Sequence, residues 1–149
     1  MNRNLTILVI EDSEDDVFLF QKALAGEHIK NPVQVVKDGV EAIDYLEGKG
    51  EFHDRVRFPF PSVIFCDLKM PRMNGFDVLE WLRKHPECSV IPLIILSSSK
   101  EDVDVKKAYL MGANAYLLKP HTLSEFREML RDTYKFWTWC EKPRVPVKA

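Results

Sequence analysis

Residues 5–16 read Leu5-Thr6-Ile7-Leu8-Val9-Ile10-Glu11-Asp12-Ser13-Glu14-Asp15-Asp16, and this stretch decides the fold. Its first half is an apolar run rich in β-branched residues, the pattern of a strand covered on both faces, as in a parallel sheet. Its second half turns acidic at once. Ser13 ahead of Glu14, Asp15 and Asp16 is a helix start, because carboxylates suit the positive end of a helix dipole. Val17, Phe20 and Leu24 then carry one apolar stripe onward. The first unit is therefore a strand that feeds a helix through an acidic turn.

The unit recurs. Residues 33–36 (VQVV), 62–66 (SVIFC), 93–96 (LIIL) and 115–118 (AYLL) are further short apolar runs of strand length. Asp38 with Glu41 reads as a capping box opening a second helix, with Val40, Ile43 and Leu46 facing inward. Residues 76–84 and 101–111 have helical character, the latter closed by Gly112 as a C-terminal cap. Thr122 with Glu125 opens a last helix that runs to about Cys140. Strand and helix alternate five times, which with right-handed crossovers predicts one parallel sheet with helices on both faces, an α/β fold.

Composition narrows the function. A chain of 149 residues is long enough for one domain, and 46% hydrophobic with 30% charged residues is a globular balance. Twenty-one basic against 23 acidic residues give a net charge of −2, which supplies no field to attract nucleic acid. Cys66, Cys88 and Cys140 are odd in number and form no CxxC pair, so neither a disulfide framework nor a structural zinc site is indicated. No stretch approaches the roughly 18 apolar residues of a membrane span, and residues 5–10 are too short for a signal peptide core. The reading is a soluble cytoplasmic protein. Residues 1–141 are expected as its domain and residues 142–149, with two prolines and three basic residues, as a flexible tail. No linker to an output module such as a helix-turn-helix is visible.

The acidic residues carry the chemistry. In an open parallel sheet, ligands gather beyond the carboxyl ends of the strands, where strand order reverses. Glu11 and Asp12 close the first strand and Asp67 closes the third. If those strands adjoin, three carboxylates converge, and such a group needs a proton or a cation between its members. Oxygen donors without a nearby His or Cys select a hard ion, Mg²⁺ foremost. Alone, Glu11 and Asp12 read equally well as solvated residues at a helix start. The turn also lacks the glycines with which α/β folds cradle phosphate. A phosphate could lie there only with a metal and a lysine to neutralise it.

The acidic pair Glu11-Asp12, the run Asp67-Leu68-Lys69-Met70-Pro71-Arg72-Met73-Asn74-Gly75, Ser97, Gly112-Ala113, Tyr116 and Lys119-Pro120 together resemble the receiver domain of two-component response regulators. The resemblance covers about 130 positions. It implies a flavodoxin-like (βα)5 fold, an open five-stranded parallel sheet of order 2-1-3-4-5. It further implies that Asp67 accepts a phosphoryl group from a sensor histidine kinase. Mg²⁺ would be held by Asp12, Asp67 and the backbone carbonyl of Lys69, with Glu11 acting through water. Lys119 and Ser97 would bind phosphoryl oxygens; Ser98 is the alternative to Ser97, because three serines follow the fourth strand. The Lys119-Pro120 bond is expected to be cis, aiming the ammonium into the site. Tyr116 would switch the face formed by the fourth helix, fifth strand and fifth helix, changing dimerisation or the binding of a downstream protein or phosphotransfer partner. In this reading the protein catalyses only its own phosphorylation and dephosphorylation, and the Lys69 side chain slows or redirects loss of the phosphoryl group.

One connection is longer than is usual in α/β units. Residues 48–61, with Phe52, His53, Arg55, Arg57, Phe58 and Phe60, form a long connection. It reads either as a surface loop whose phenylalanines pack under the domain or as a contact for a cognate kinase. In the last helix Leu123, Phe126, Leu130 and Trp137 share a core-facing stripe, leaving Tyr134, Phe136 and Trp139 largely outside it. Phe136, Trp137 and Trp139 are the candidate interface for a homodimer or a kinase. These features most resemble the single-domain response regulators that partner bacteriophytochrome-type histidine kinases. A haloacid-dehalogenase-like phosphatase would need a second aspartate where Lys69 stands. A receiver that binds partners without phosphorylation is disfavoured by the intact Asp12, Asp67, Ser97 and Lys119.

Overall fold

The computed structural model describes residues 5–147. Along the chain lie β1 (Ile7–Ile10), α1 (Glu14–Gly26), β2 (Val33–Val36), α2 (Gly39–Glu47), a 3₁₀ turn (Gly50–His53), β3 (Val63–Cys66), α3 (Gly75–Lys84), β4 (Leu93–Ser97), α4 (Asp102–Leu110), β5 (Ala115–Leu118) and α5 (Leu123–Trp139). The strands form one parallel sheet of order β2-β1-β3-β4-β5, the topology the resemblance implied.

The apolar runs are nearly continuous because both sheet faces are buried. Leu8, Ile10, Ile64, Cys66, Leu93 and Ile95 point to one side, against Tyr45 and Leu46 of α2 and Val78, Leu79 and Leu82 of α3. Ile7, Val9, Val63, Phe65 and Leu96 point to the other, against Phe20 and Leu24 of α1 and Phe126 and Leu130 of α5. Successive strand residues serve opposite cores, so neither face can become polar without exposing one of them.

Side-chain caps fix where the helices begin. Ser13 Oγ accepts from the Asp16 N–H at 3.3 Å, and Asn74 and Asp77 form a reciprocal capping box at α3. Thr122 caps α5 through the Glu125 N–H. At α2 Asp38 accepts from the Glu41 N–H at 2.9 Å, but its other oxygen receives the Arg72 guanidinium at 2.6 and 2.8 Å, and no reciprocal bond from Glu41 closes a box. The inward face of α2 also differs from the expected one. Ala42, Tyr45 and Leu46 are buried while Val40 and Ile43 are only half-buried, because Tyr45 turns in to donate its hydroxyl to the Pro59 carbonyl at 2.7 Å.

The long connection resolves into that contact. Phe52 and Phe58 pack around the Tyr45 ring at centroid distances of 5.1 and 6.0 Å. Arg55 donates to the carbonyls of Tyr45 and Leu46, each at 2.7 Å, and lies over the Phe60 ring. The phenylalanines are thus spent under the domain. At the other end, Gly112 adopts φ +102° and its N–H donates to the Tyr109 carbonyl, while the Ala113 N–H donates to Ala108, a glycine-closed helix end.

Part of the tail expected to be flexible touches the domain. Val145 packs on the α2/α3 core and the Val147 N–H donates to the Glu87 carbonyl at 2.7 Å, because an apolar side chain and a backbone donor find partners on the domain. Residues 148–149 of that tail, and residues 1–4 of the expected domain, lie outside the described residues. Among the described residues no helix is long and apolar enough to cross a membrane.

One close approach ties α2 to the loop after β3. The Gly39 N–H donates to the Met73 carbonyl at 3.2 Å, and a Cβ on Gly39 would lie 2.4 Å from Met73 Cβ. Gly39→Ala, although it favours helix, should therefore destabilise the protein by about 1–3 kcal/mol through overpacking, seen as a lower urea midpoint with an unchanged slope.

Candidate functional site

The register of the sheet sets the site. Ile10 lies beside both Val36 and Cys66, so β1, β2 and β3 end at one level, while β4 and β5 run two residues further, with Cys66 beside Ile95 and Ser97 beside Leu118. The ladder continues one residue further: the Glu11 N–H donates to Val36, Asp67 to Ile10 and Lys119 to Ser97, each at 2.9 Å. Residues 11, 67, 97 and 119 thereby come together at the carboxyl edge of the sheet from positions more than a hundred residues apart.

Glu11, Asp12 and Asp67 each offer an oxygen, all within 4.8 Å of one another. Glu11 and Asp67 are only 5% and 7% exposed, while Asp12 is open to solvent. Lys119 Nζ lies 2.8 Å from Glu11 Oε2, 2.8 Å from Asp16 Oδ2 and 3.5 Å from Asp67 Oδ2. Burial pushes the Glu11 carboxyl up to about 7, with the neighbouring Asp67 charge adding to it, against hydrogen bonding from Lys119. Asp67 is likewise raised by burial, which outweighs the nearby Lys119 charge and the Leu68 N–H that Asp67 Oδ1 accepts at 2.8 Å. Burial pulls Lys119 down, but hydrogen bonds to Asp16 and Glu11 and the charge of Asp67 more than offset it, so the amine is held above its ordinary value.

Such a set fits a divalent cation. The donors are hard oxygens, one carboxylate is open for entry, and two buried acids are poorly accommodated as anions until positive charge arrives. Lys69 lies on the same rim with its side chain in solvent. A cleft of about 490 Å³ opens beside Asp67, lined by Lys69, Ser97, Ser98, Ser99, Lys100, Glu101 and Lys119. It can admit a small anionic group directly above the buried carboxylate.

The three serines separate clearly. Ser97 closes β4 and is 2% exposed, whereas Ser98 is exposed. Ser97 Oγ accepts the Ser99 N–H at 3.1 Å, and Ser99 Oγ donates to Asp104 Oδ2 at 2.6 Å. Tyr116 is half-buried against the α2/α3 core and donates its hydroxyl to the Ser99 carbonyl at 2.9 Å. Its own N–H is taken by the Tyr109 hydroxyl at 3.1 Å. Ser97 and Tyr116 therefore meet at one loop.

Two expectations change. The Lys119-Pro120 bond is trans, and among the described residues the cis bond is Val145-Pro146. A trans bond is the lower-energy form for X-Pro by roughly 0.5–1 kcal/mol, and the lysine reaches the carboxylates from it without help. At the distal end, Phe136 and Trp139 are 73% and 89% exposed, but Trp137 is half-buried against the α1/α5 core beneath the Lys142 ammonium. Trp137 is thus spent largely on the domain's own packing.

Sequence reasoning missed Asp16, which it took only as an acid at a helix start. It also missed the Arg72–Asp38 pair, in which Arg72 adopts φ +66° and clips the loop after β3 onto α2. No sequence signal marks Asp16, because its partner lies 103 residues away.

The sequence matches the response regulator receiver domain family over residues 7–131. Among curated relatives, the response regulator Rcp1 of Synechocystis is 31% identical over 131 residues, covering 88% of this chain and 87% of that protein. Among solved structures, the response regulator RPA3017 in red light signalling of R. palustris superimposes with a TM-score of 0.90 at 32% identity, covering 95% and 99% of the two chains. The phosphorylated cyanobacterial phytochrome response regulator RcpA gives 0.86 at 30%, covering 94% and 99%. A Mn²⁺-bound form of Rcp1 gives 0.80 at 30%, covering 96% and 99%.

The raised Glu11 carboxyl makes cation binding pH-dependent. Above about pH 7 the group is ionised and free to face a cation; below it, a proton must leave first, so affinity falls as pH falls, by up to about tenfold per unit for one proton. Calorimetric titration with Mn²⁺ in buffers of different ionisation enthalpy should show proton release near pH 6 that Glu11→Gln abolishes.

Proposed function

The chain belongs to the response regulator receiver domain family, whose general function is aspartate phosphorylation in two-component signalling, and from that membership we propose that Asp67 is its phosphoacceptor, working with Mg²⁺. The observation that carries this reading is the convergence of Glu11, Asp12 and Asp67 within 4.8 Å, faced by the Lys119 ammonium. An Asp67 carboxylate oxygen attacks the phosphorus of a kinase phosphohistidine; the P–N bond breaks, the imidazole leaves with the bonding pair, and an acyl phosphate remains on Asp67. Asp12, Asp67, the Lys69 carbonyl and, through water, Glu11 are the residues that would hold the cation, which would neutralise charge on the phosphoryl oxygens. Lys119 pairs with one such oxygen and Ser97 donates its hydroxyl to another. The burial of Ser97 at the end of β4 favours it over Ser98 for this role.

A phosphoryl group that draws the Ser97 hydroxyl toward it pulls on the Ser99 N–H that this oxygen accepts. The Tyr116 hydroxyl, held by the Ser99 carbonyl, feels the same loop move, and the face of α4, β5 and α5 changes with it. This makes the protein a switch that promotes only its own phosphorylation and dephosphorylation. Likeness to the phytochrome response regulator RcpA and to RPA3017 of red light signalling supports a phytochrome-type histidine kinase as the donor. A further protein or a phosphotransfer partner receives the signal in a cytoplasmic setting.

Incubation with acetyl phosphate and Mg²⁺ should add a single phosphoryl mass to the wild type and none to Asp67→Asn, with loss of the adduct on chelation of Mg²⁺ before the donor is added. Labelling that persists in Asp67→Asn would assign another acceptor.

We also infer that Phe136 and Trp139 join two copies of the chain or meet the kinase, since side chains of this size stand almost wholly in solvent. Sedimentation should show a dimer, favoured by phosphorylation, that Trp139→Ser weakens by about tenfold or more, as for a central aromatic contact.

A further inference from the structure

The phosphoryl chemistry above leaves Asp16 without a task, although it lies in contact with Lys119. Asp16 sits in the first turn of α1, its backbone N–H on the Ser13 cap, and its Oδ2 receives the Lys119 ammonium at 2.8 Å. That is nearer than the 3.5 Å from Lys119 to the proposed acceptor Asp67. An ammonium has three protons. One goes to Asp16, one to Glu11 at 2.8 Å, and the amine is thereby drawn to the α1 side of the site. Glu11 also belongs to the cluster that fits a cation, so its claim on the lysine weakens once that cluster is engaged. Asp16 stands outside the cluster and keeps its claim.

We propose that Asp16 is a positioning residue that holds Lys119 back from Asp67 and competes with the incoming phosphoryl group for the same ammonium. The inference rests on Asp67 being the acceptor. In the resting protein the pair Lys119–Asp16 stores the cation beside the site, where it tempers the buried acids without covering the attacking oxygen. When a phosphoryl group arrives, its oxygens and Asp16 share one ammonium, and the bond to Asp16 resists the lysine's approach to the phosphoryl group. Asp16 therefore sets how readily the active state forms. Its side chain is one-third exposed, so the contact is a screened one and the penalty it imposes is modest.

The test uses the whole chain with Mg²⁺ and beryllofluoride, which mimics the phosphoryl group without chemistry. Calorimetric titration should show Asp16→Asn binding beryllofluoride about three- to fivefold more tightly than wild type, the factor for losing one partly exposed ion pair. Phosphorylation by acetyl phosphate should accelerate by a similar factor. Asp15→Asn is the charge control. Asp15 lies in the same turn and is exposed, and removing its charge should leave the affinity within about 1.5-fold, since a solvent-exposed charge is screened. Equal or weaker binding by Asp16→Asn overturns the inference, as does a gain of the same size in Asp15→Asn, which would reduce the effect to net charge. Failure of the wild type to take up beryllofluoride at all overturns the acceptor assignment and this inference together.

Discussion

A single ammonium lies among carboxylates from separate parts of the chain, and the arrangement of the strand edge depends on it. Glu11 and Asp67 are almost closed to water, Asp12 stands beside them, and Asp16 approaches from α1. Two unit charges about 4 Å apart interact by roughly 4 kcal/mol at an effective dielectric near 20, so the mutual repulsion of these acids is not small. Lys119, itself 10% exposed, offsets part of it. Burial above all, with the charge of a neighbouring acid adding to it, raises the Glu11 and Asp67 carboxyls, which hold protons more readily than carboxylates in water. A site in this condition is already strained toward taking up positive charge. Its charge imbalance is built by the sheet register, because Glu11 and Asp67 each extend a ladder by one residue at one level and Lys119 extends β5 two residues beyond it.

This explains why so much was legible in advance. A parallel sheet buries both faces, so its strands announce themselves as apolar runs, and the residue that ends each run must lie at the shared edge. The run from Ile7 to Ile10 therefore places Glu11, and the run from Val63 to Cys66 places Asp67, without knowledge of any distance. What the pattern left out was contact between elements. Tyr45 turns inward only because Pro59 supplies an acceptor, and Arg55 leaves solvent only because the end of α2 offers carbonyls. Asp38 was visible as a cap, but not as the anchor of Arg72. Asp16 looked like an ordinary acid of a first helical turn. Each depends on a partner far along the chain, and short-range pattern holds no record of it.

The same reasoning accounts for two features near the end of the chain. Residues 142–149 are rich in charge and proline, which suits a segment without a core. One valine on the α2/α3 core and one bond to Glu87 hold the described part down, and neither leaves a periodic trace. Trp137 was assigned both to the core stripe and to the exposed group. Its half-buried position follows from helical spacing after Leu130, seven residues earlier, whereas Phe136 and Trp139 fall off that stripe.

Rigidity on one side of the site and looseness on the other give the arrangement its direction. The loop after β3 is fastened by Arg72 to Asp38, by Met73 to Gly39 and by the Gly75 N–H to Leu68, with no room for a Cβ at Gly75, which would meet the Asp67 carbonyl at 2.5 Å. That side cannot yield to a group bound at Asp67 without breaking several contacts at once. Across the cleft, Ser98 is exposed, and Ser97 and Ser99 are joined by one hydrogen bond that a better acceptor would replace. If Asp67 is phosphorylated as proposed, displacement at the site would pass to the loop after β4 and not to the loop after β3. Because Tyr116 is bonded to that loop through the Ser99 carbonyl, and Tyr109 of α4 is bonded to the Tyr116 backbone, the proposed movement would reach α4 and β5 along hydrogen bonds that the resting protein already makes.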